Sequence, residues 1–597
     1  MPNYFVGSTI AVSSDYVGAV NQVVPLDLNG DGHLDLLIAD TSLKNSGTPL
    51  RALLGDGKGG FSDGTASVFG SSVPQTISAR GSAVADFNGD GRPDVYFGDQ
   101  GFDEPPFPGA HNTLIVSSGA GYVAAVGVPG QSDFTHSVAA ADVDGDGDID
   151  IYVNNLGQGD RAPYLLVNDG RGQFTLARLA FASEGSFTDC LFFYADGDTH
   201  PDLFLGGDLS MAASTVLLND GRGVFGSPIV VPKPNGRIVS DSEAVDLNGD
   251  GRLDLVLIET THQSVGGYVQ VLINTPHGFV DETDNRLLGL SGGQLGPYWA
   301  YEVFAADMNG DGSVDIVLSQ GVDSDSSPLL INNGSGQFVR MPVTLPNLTV
   351  FQKLTVGDAN GDGLTDILAV EGNAGGERIH VYLNSHPGHT QTGTASNDGL
   401  MGSSGGNTIL SGAGNDTVAG GSGQNFLRGE EGDDLIVGGP NFDDAHGNMG
   451  NDTVYGGLGD DWVVGGKDND LLFGDEGWDI VYGNLGNDTC EGGAFIDWVR
   501  GGQGDDLVDG GAGDDWLWGD RGSDTVTGGS GADTFFFHGE AGIDRITDFN
   551  FGDGDRIKVE FGTYTVQQIG ADTVLDFGGG NQLVLLGMSG FSTNWLV

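Results

Sequence analysis

Between Asp398 and Asp533 a nine-residue unit, Gly-Gly-x-Gly-x-Asp-x-U-x with U a large apolar residue, recurs sixteen times without one insertion or deletion. Counting in nines, its sixth position is Asp398, Asn407, Asp416, Asn425, Asp434, Asp443, Asp452, Asp461, Asp470, Asp479, Asp488, Asp497, Asp506, Asp515, Asp524 and Asp533. Two residues further on, the slot U runs from Leu400, Ile409 and Val418 to Val526 and Phe535, and Ala445 is its small member. Glycine supplies turns that need φ > 0, and each x-U-x reads as a short strand with U inward. Two units then make one 18-residue coil, and stacking sets each Asp beside the Asp 18 residues later. Paired carboxylates with turn carbonyls form an all-oxygen cage of the kind Ca²⁺ prefers. An apolar residue held in phase through sixteen units excludes a disordered Gly/Asp-rich linker.

This pattern resembles the nonapeptide repeats of the RTX family, which implies a calcium-binding parallel β-roll. With 23 Lys+Arg against 83 Asp+Glu, the formal charge is −60. Such a charge opposes compaction unless cations neutralise it, and it excludes nucleic-acid binding by bulk electrostatics. The opening Met-Pro-Asn-Tyr-Phe-Val-Gly lacks the basic and apolar regions of an N-terminal export signal. No apolar run approaches the length of a membrane-spanning helix. Cys190 and Cys490 lie in different segments and read as buried thiols rather than a disulfide.

A second repeat, 51 to 61 residues long, fills the first two thirds of the chain and is marked by an acidic loop between apolar strands. Its copies carry Asp27, Asn29, Asp31 and Asp35; Asp86, Asn88, Asp90 and Asp94; Asp142, Asp144, Asp146 and Asp150. They continue with Asp246, Asn248, Asp250 and Asp254; Asp307, Asn309, Asp311 and Asp315; Asp358, Asn360, Asp362 and Asp366. Oxygen side chains at positions 1, 3, 5 and 9, with glycine after position 5, suit one hard cation, position 7 lending its carbonyl. An EF-hand would need a carboxylate at position 12, where Ile38, Phe97, Leu257 and Leu318 stand. A seventh copy is damaged: Tyr194 replaces the first ligand and Thr199 the glycine, ahead of Asp202. We expect no calcium or a weakly held one at Asp196, Asp198 and Asp202, with packing of Tyr194 taking its place.

Each loop is followed by an apolar strand and then by a hairpin such as Leu165-Leu-Val-Asn168-Asp-Gly-Arg-Gly-Gln-Phe174, a strong antiparallel signal. Seven four-strand units resemble the FG-GAP/VCBS repeats of integrin-like β-propellers. The last unit lacks a fourth strand and the chain begins with an orphan one, Tyr4 to Ile10, which is expected to close the ring and remove an exposed edge.

The chain therefore reads as all-β: a seven-bladed propeller over 1–392, a calcium-binding roll over 393–535 and a β-rich cap over 536–597. The last residues, Phe591 to Val597, resemble the apolar C-terminal signals of type I secretion substrates, with Asn594 where those often carry Asp. The resemblances imply a secreted or cell-surface protein that meets a type I secretion apparatus during export. No nucleophile elbow, zinc motif or phosphate loop appears. An extracellular protein whose propeller binds a glycan or cell-surface partner is the reading carried forward. The alternatives are a polysaccharide- or phosphoester-degrading enzyme and a surface-layer component. The loops opposite the calcium loops carry Tyr16, Phe102, Phe107, His111, Phe134, His136, Arg161, His262, Tyr298, Trp299 and Tyr301, a set suited to sugar rings.

Overall fold

The computed structural model describes the whole chain except residues 1–4, 14–18, 42–46, 102–108, 120, 131, 157–161, 180–186, 208–212, 233–236, 262–265, 289, 291–292, 297–299, 321–328, 335, 342–344, 346–352, 374–375, 385–389, 539–541 and 562. Seven antiparallel sheets follow one another from the N-terminus and form a seven-bladed propeller. The third blade shows the plan: Thr135–Ala141, Asp150–Asn155, Tyr164–Asn168 and Phe174–Ala177, paired in that order. Second strands such as Asp94–Asp99 and Asp202–Gly207 are buried along their whole length. That explains why they read as continuous apolar runs rather than alternating ones.

Ring closure follows the expected route. Phe5–Ser13 pairs antiparallel with Gly376–Asn384, from Phe5 opposite Asn384 to Ser13 opposite Glu377, and supplies the outer strand of the seventh blade. In six blades the first strand carries a β-bulge at the equivalent place, for instance between Phe187 and Asp189 and between Val239 and Asp241. A bulge re-aims side chains, and here the first strands line a central cavity of about 570 Å³.

From Thr390 the chain winds into a parallel solenoid with two ladders, one on each side of every coil. Neighbours are 18 residues apart: Leu400 faces Val418 on one ladder and Ile409 faces Leu427 on the other. Every slot residue from Leu400 to Phe535, Ala445 and Cys490 included, lies in one buried core. Asp533 does not end this ladder. Thr534–His538 pairs in parallel with Arg556–Phe561, and Thr525–Thr527 with Ile543–Ile546. Ile546, Phe549, Ile557, Leu575, Leu585 and Trp595 extend the same core, so the C-terminal segment prolongs the roll before closing it. At its other end Met401, Ala419 and Val437 share an apolar cluster with Met308, Val317 and Leu329 of the sixth blade, and propeller and roll are packed together. Both cysteines are buried free thiols.

Candidate calcium sites

In each intact propeller loop the two glycines take φ between 71° and 95°, for example Gly30 at 77° and Gly32 at 83°. Those angles aim backbone N–H groups at the first carboxylate. In the first blade Asp27 Oδ1 accepts from Gly30 N (2.7 Å) and Oδ2 from Gly32 N (2.9 Å), while Asp31 Oδ1 accepts from His33 N. In the third blade Asp142, Asp144 and Asp146 each offer an oxygen within 4.8 Å of the others, a three-carboxylate pocket for one divalent ion.

The ninth-position carboxylates are built deeper. Asp35, Asp94, Asp150, Asp202, Asp254, Asp315 and Asp366 are all fully buried. Each accepts a backbone N–H on either oxygen: Asp150 Oδ2 from Val143 N and Oδ1 from Asn168 N, at 3.1 and 2.8 Å. The loop is thereby pinned to the third strand of its own blade, and each oxygen keeps a second lone pair for a cation. Burial pushes the carboxyls of Asp150, Asp254 and Asp366 up to about 6, because a desolvated anion is costly without a counter-charge.

A second set of contacts escaped the sequence reading. The Asn that closes the third strand of five blades looks like turn chemistry, yet in the structure it ties blades together. Asn168 Nδ2 donates to Phe87 O of the second-blade loop, and Asn219 to Val143 O of the third. Asn274 reaches Ala195 O, Asn332 reaches Leu247 O and Asn384 reaches Met308 O. Where no Asn is present, Arg92 donates to Leu28 O and Gly59 N to Ala359 O. The calcium loop of each blade is thus the acceptor for the next blade around the ring. Repetition of Asn at the end of the third strand in five blades was the available signal.

The fourth-blade loop departs as its sequence implies, with one correction. Tyr194 is 48% exposed, so its packing does not substitute for a ligand. Ala195 does the anchoring: its N–H donates to Asp202 Oδ2 and its carbonyl accepts from Asn274. His200 Nδ1 sits 3.0 Å from Asp198, at the loop position where Arg252 pairs with Asp250 in the fifth blade.

The roll presents a different cage. From Asp434 to Asp515 each register Asp accepts a backbone N–H from the previous coil on Oδ1, as Asp461 does from Asp443 N at 2.8 Å. Its Oδ2 is buried with no hydrogen-bond partner among the described residues. Asn407 and Asn425 show what surrounds that position. Asn425 Nδ2 donates to Gly421 O, Gly423 O and Asp443 Oδ1 at 3.2, 2.8 and 2.8 Å; Asn407 Nδ2 donates to Ser403 O, Gly405 O, Gly420 O and Asn425 Oδ1. An amide cation-surrogate fills an oxygen cage there. In the Asp coils the same oxygens meet a carboxylate, and only a cation satisfies them. Burial, with neighbouring carboxylates adding to it, raises Asp470 and Asp479 to about 8 and Asp461 to about 9. These residues fit Ca²⁺.

Two further register acids went unread. Asp524 N donates to Asp544 Oδ1 and Asp533 N to Asp555 Oδ1. The Asp-x-Ile signature persists at both, but the spacing widens from 18 to 20 and 22 residues, which hid them. Of the aromatic and basic loop residues, Tyr16, Phe102, Phe107, Arg161, His262, Tyr298 and Trp299 lie outside the described residues, as does the Tyr301 side chain. His111 is exposed, Phe134 and His136 have ring centroids 6.2 Å apart, and His136 lines the central cavity.

Fold and loops define an all-β protein whose repeats are organised around calcium. A family model described as "FG-GAP-like repeat" matches residues 27–97, 195–257, 246–318 and 307–369. One described as "RTX calcium-binding nonapeptide repeat (4 copies)" matches 392–427, 428–463, 455–490, 491–526, 500–535 and 513–546. The chain thus carries FG-GAP-like repeats in a seven-bladed propeller and RTX calcium-binding nonapeptide repeats in the solenoid that follows it. It is 29% identical over 156 residues to integrin alpha-PS5 of Drosophila melanogaster, covering 24% of this chain and 15% of that one. It is 32% identical over 108 residues to integrin alpha-PS3 of the same organism, covering 16% and 10%. The chain thus spans less than a sixth of the length of these relatives. Among solved structures, the crystal structure of BBS1N in complex with ARL6DN aligns with a TM-score of 0.38 at 11% identity, over 64% of this chain and 98% of that one. Both repeat types are typical of extracellular proteins. No helix among the described residues is long and apolar enough to cross a membrane.

Proposed function

We propose that this chain is an extracellular binding protein whose propeller holds a glycan or another cell-surface partner and whose roll folds on calcium after type I export. The calcium assignment rests on the row of buried, partnerless Oδ2 atoms in the roll. Six propeller loops hold one ion each, and the fourth-blade loop holds none or a weak one. In the roll, the edge that begins at Asp398 carries a continuous row to Asp524. The opposite edge starts its row only after Asn425, because the amides of Asn407 and Asn425 already occupy the cage. An anomalous difference map of calcium-loaded crystals tests this assignment. Equal density at Asn407, Asn425 and Asp443, or a fully coordinated ion at Asp198, overturns it.

The binding half is supported by how the acids are used: the conspicuous carboxylates are consumed by loop and coil formation rather than gathered for chemistry. Partner contact then falls to the loops on the other face. Replacing Trp299 and Tyr301 by Ala should abolish binding in a glycan array or cell-surface assay run in calcium, with little change in melting temperature. Retained binding would remove that face from consideration.

One observation favours the enzyme alternative. The central cavity gathers Asp189, Asp241, Glu243 and Glu302, with Lys353 beside Glu302. Burial holds Glu243 up to about 7, a value suited to a general acid. Polysaccharide cleavage that is lost in Glu243→Gln but survives the aromatic substitutions would replace the binding reading.

A further inference from the structure

One propeller loop differs from the other six in its surroundings. The fifth-position carboxylates Asp31, Asp90, Asp146, Asp198, Asp250 and Asp362 are all exposed. Asp311, in the sixth blade, is 9% exposed, and its neighbour Asn309 is 0% exposed. The roll provides the cover. Ser422, in a turn of the second coil, donates its hydroxyl to the Asp311 carbonyl at 2.8 Å. Pro440 lies against the sixth-blade hairpin, where a Cβ on Gly334 would stand 3.3 Å from its ring. Beside these polar contacts lies the apolar cluster in which Met401, Ala419 and Val437 meet Met308 and Val317.

Docking therefore buries a loop that carries Asp307, Asp311 and Asp315. The groups acting on Asp311 are the Ser313 N–H and hydroxyl, the Asn309 amide and the Asp307 carboxylate, and none of them is cationic. Removing an ionised carboxylate from water without a counter-charge is costly. A divalent ion in the loop removes that cost, and the same contact shields the ion from solvent. We propose that calcium in the sixth-blade loop is the latch that holds the roll on the propeller: with the ion bound the first coils stay docked, and without it the buried carboxylates drive them off. This rests on the propeller loops being calcium sites. Reciprocity requires that undocking weaken calcium binding at this loop and at no other propeller loop.

The test compares two variants of the full chain in saturating calcium, so that the roll stays folded: Asn309→Leu with Gly312→Ala, which break the ion's cage and leave the carboxylates of Asp307 and Asp311 in place, and Asn88→Leu with Gly91→Ala in the exposed second-blade loop. Bound calcium is counted by equilibrium dialysis and shape is read by small-angle X-ray scattering. Each pair should lose one ion, and only the sixth-blade pair should gain radius of gyration with its circular dichroism unchanged. If both lose an ion and neither changes shape, the latch is wrong while the loop assignment stands. If neither loses an ion, the loop assignment itself fails. Should the sixth-blade pair not fold, Ser422→Glu sets a carboxylate against the same loop without removing a ligand. It should open the molecule, and a compact Ser422→Glu protein overturns the proposal.

Discussion

Propeller loops and roll edges are both chains of Asp and Gly, yet they treat their carboxylates in opposite ways. A propeller loop satisfies both oxygens of Asp150 with backbone N–H groups before any ion arrives. A roll edge satisfies one oxygen of Asp461 and leaves the other buried. The propeller also has interblade amides and strands buried on both faces, whereas each roll coil adds only two slot residues to the core. Calcium should trim the propeller and decide the roll.

Chelation is the sharpest way to break this contrast. In excess chelator at neutral pH, amide hydrogen exchange should show the strands from Asp443–Met449 to Trp516–Arg521 unprotected, while Asp254–Thr261 and Gly267–Thr275 stay protected. Equal loss in both regions would abolish the distinction. Next in size is Gly486→Ala. Gly486 has φ of 146°, and a Cβ there would collide with the Asp468 carbonyl of the preceding coil. A cost of about 3 kcal/mol to the roll is expected, read as a higher calcium midpoint for folding.

Acid should partly replace calcium. From Asp434 to Asp533 the register carboxyls have folded values from about 6 at Asp488 to about 9 at Asp461, above their ordinary 3.8, so protonation favours the folded roll. In chelator this contribution is whole below about pH 4 and is lost as pH rises through 6 to 9. Circular dichroism between pH 9 and pH 4 should therefore gain β signal on acidification, and a loss of signal would contradict the buried-anion account. Asn274→Ala tests the propeller half, because it leaves Ala195 O and Leu253 O without their donor. A loss of about 1–3 kcal/mol of propeller stability is expected, with the calcium midpoint of the roll unchanged. The smallest effect belongs to Asp198→Ala, in the exposed fourth-blade loop: bound calcium should stay the same, with little change in melting temperature.

Periodicity, together with the resemblance to FG-GAP and RTX repeats, was enough to read seven blades, a closing N-terminal strand and a roll with inward slots, because a repeat must bury the same face in every copy. It also placed the two Asn on one edge, since a coil is two units long. Composition and spacing stopped where local signals were ambiguous. The side chain of Asn168 serves its hairpin through Oδ1, which accepts from Asp169 N, and the interblade tie through Nδ2, and only the neighbouring blade reveals the second role. Asp544 and Asp555 fell out of phase by two and four residues, although strand pairing returns both to register. Tyr194 and Asp311 mark the limit most clearly. Burial is a property of what packs on a residue, and neither the exposure of the first nor the covering of the second by a coil 111 residues away is written in its own loop. Repeats determined the local chemistry of this protein, and long-range packing decided which copies of that chemistry meet water and which meet one another.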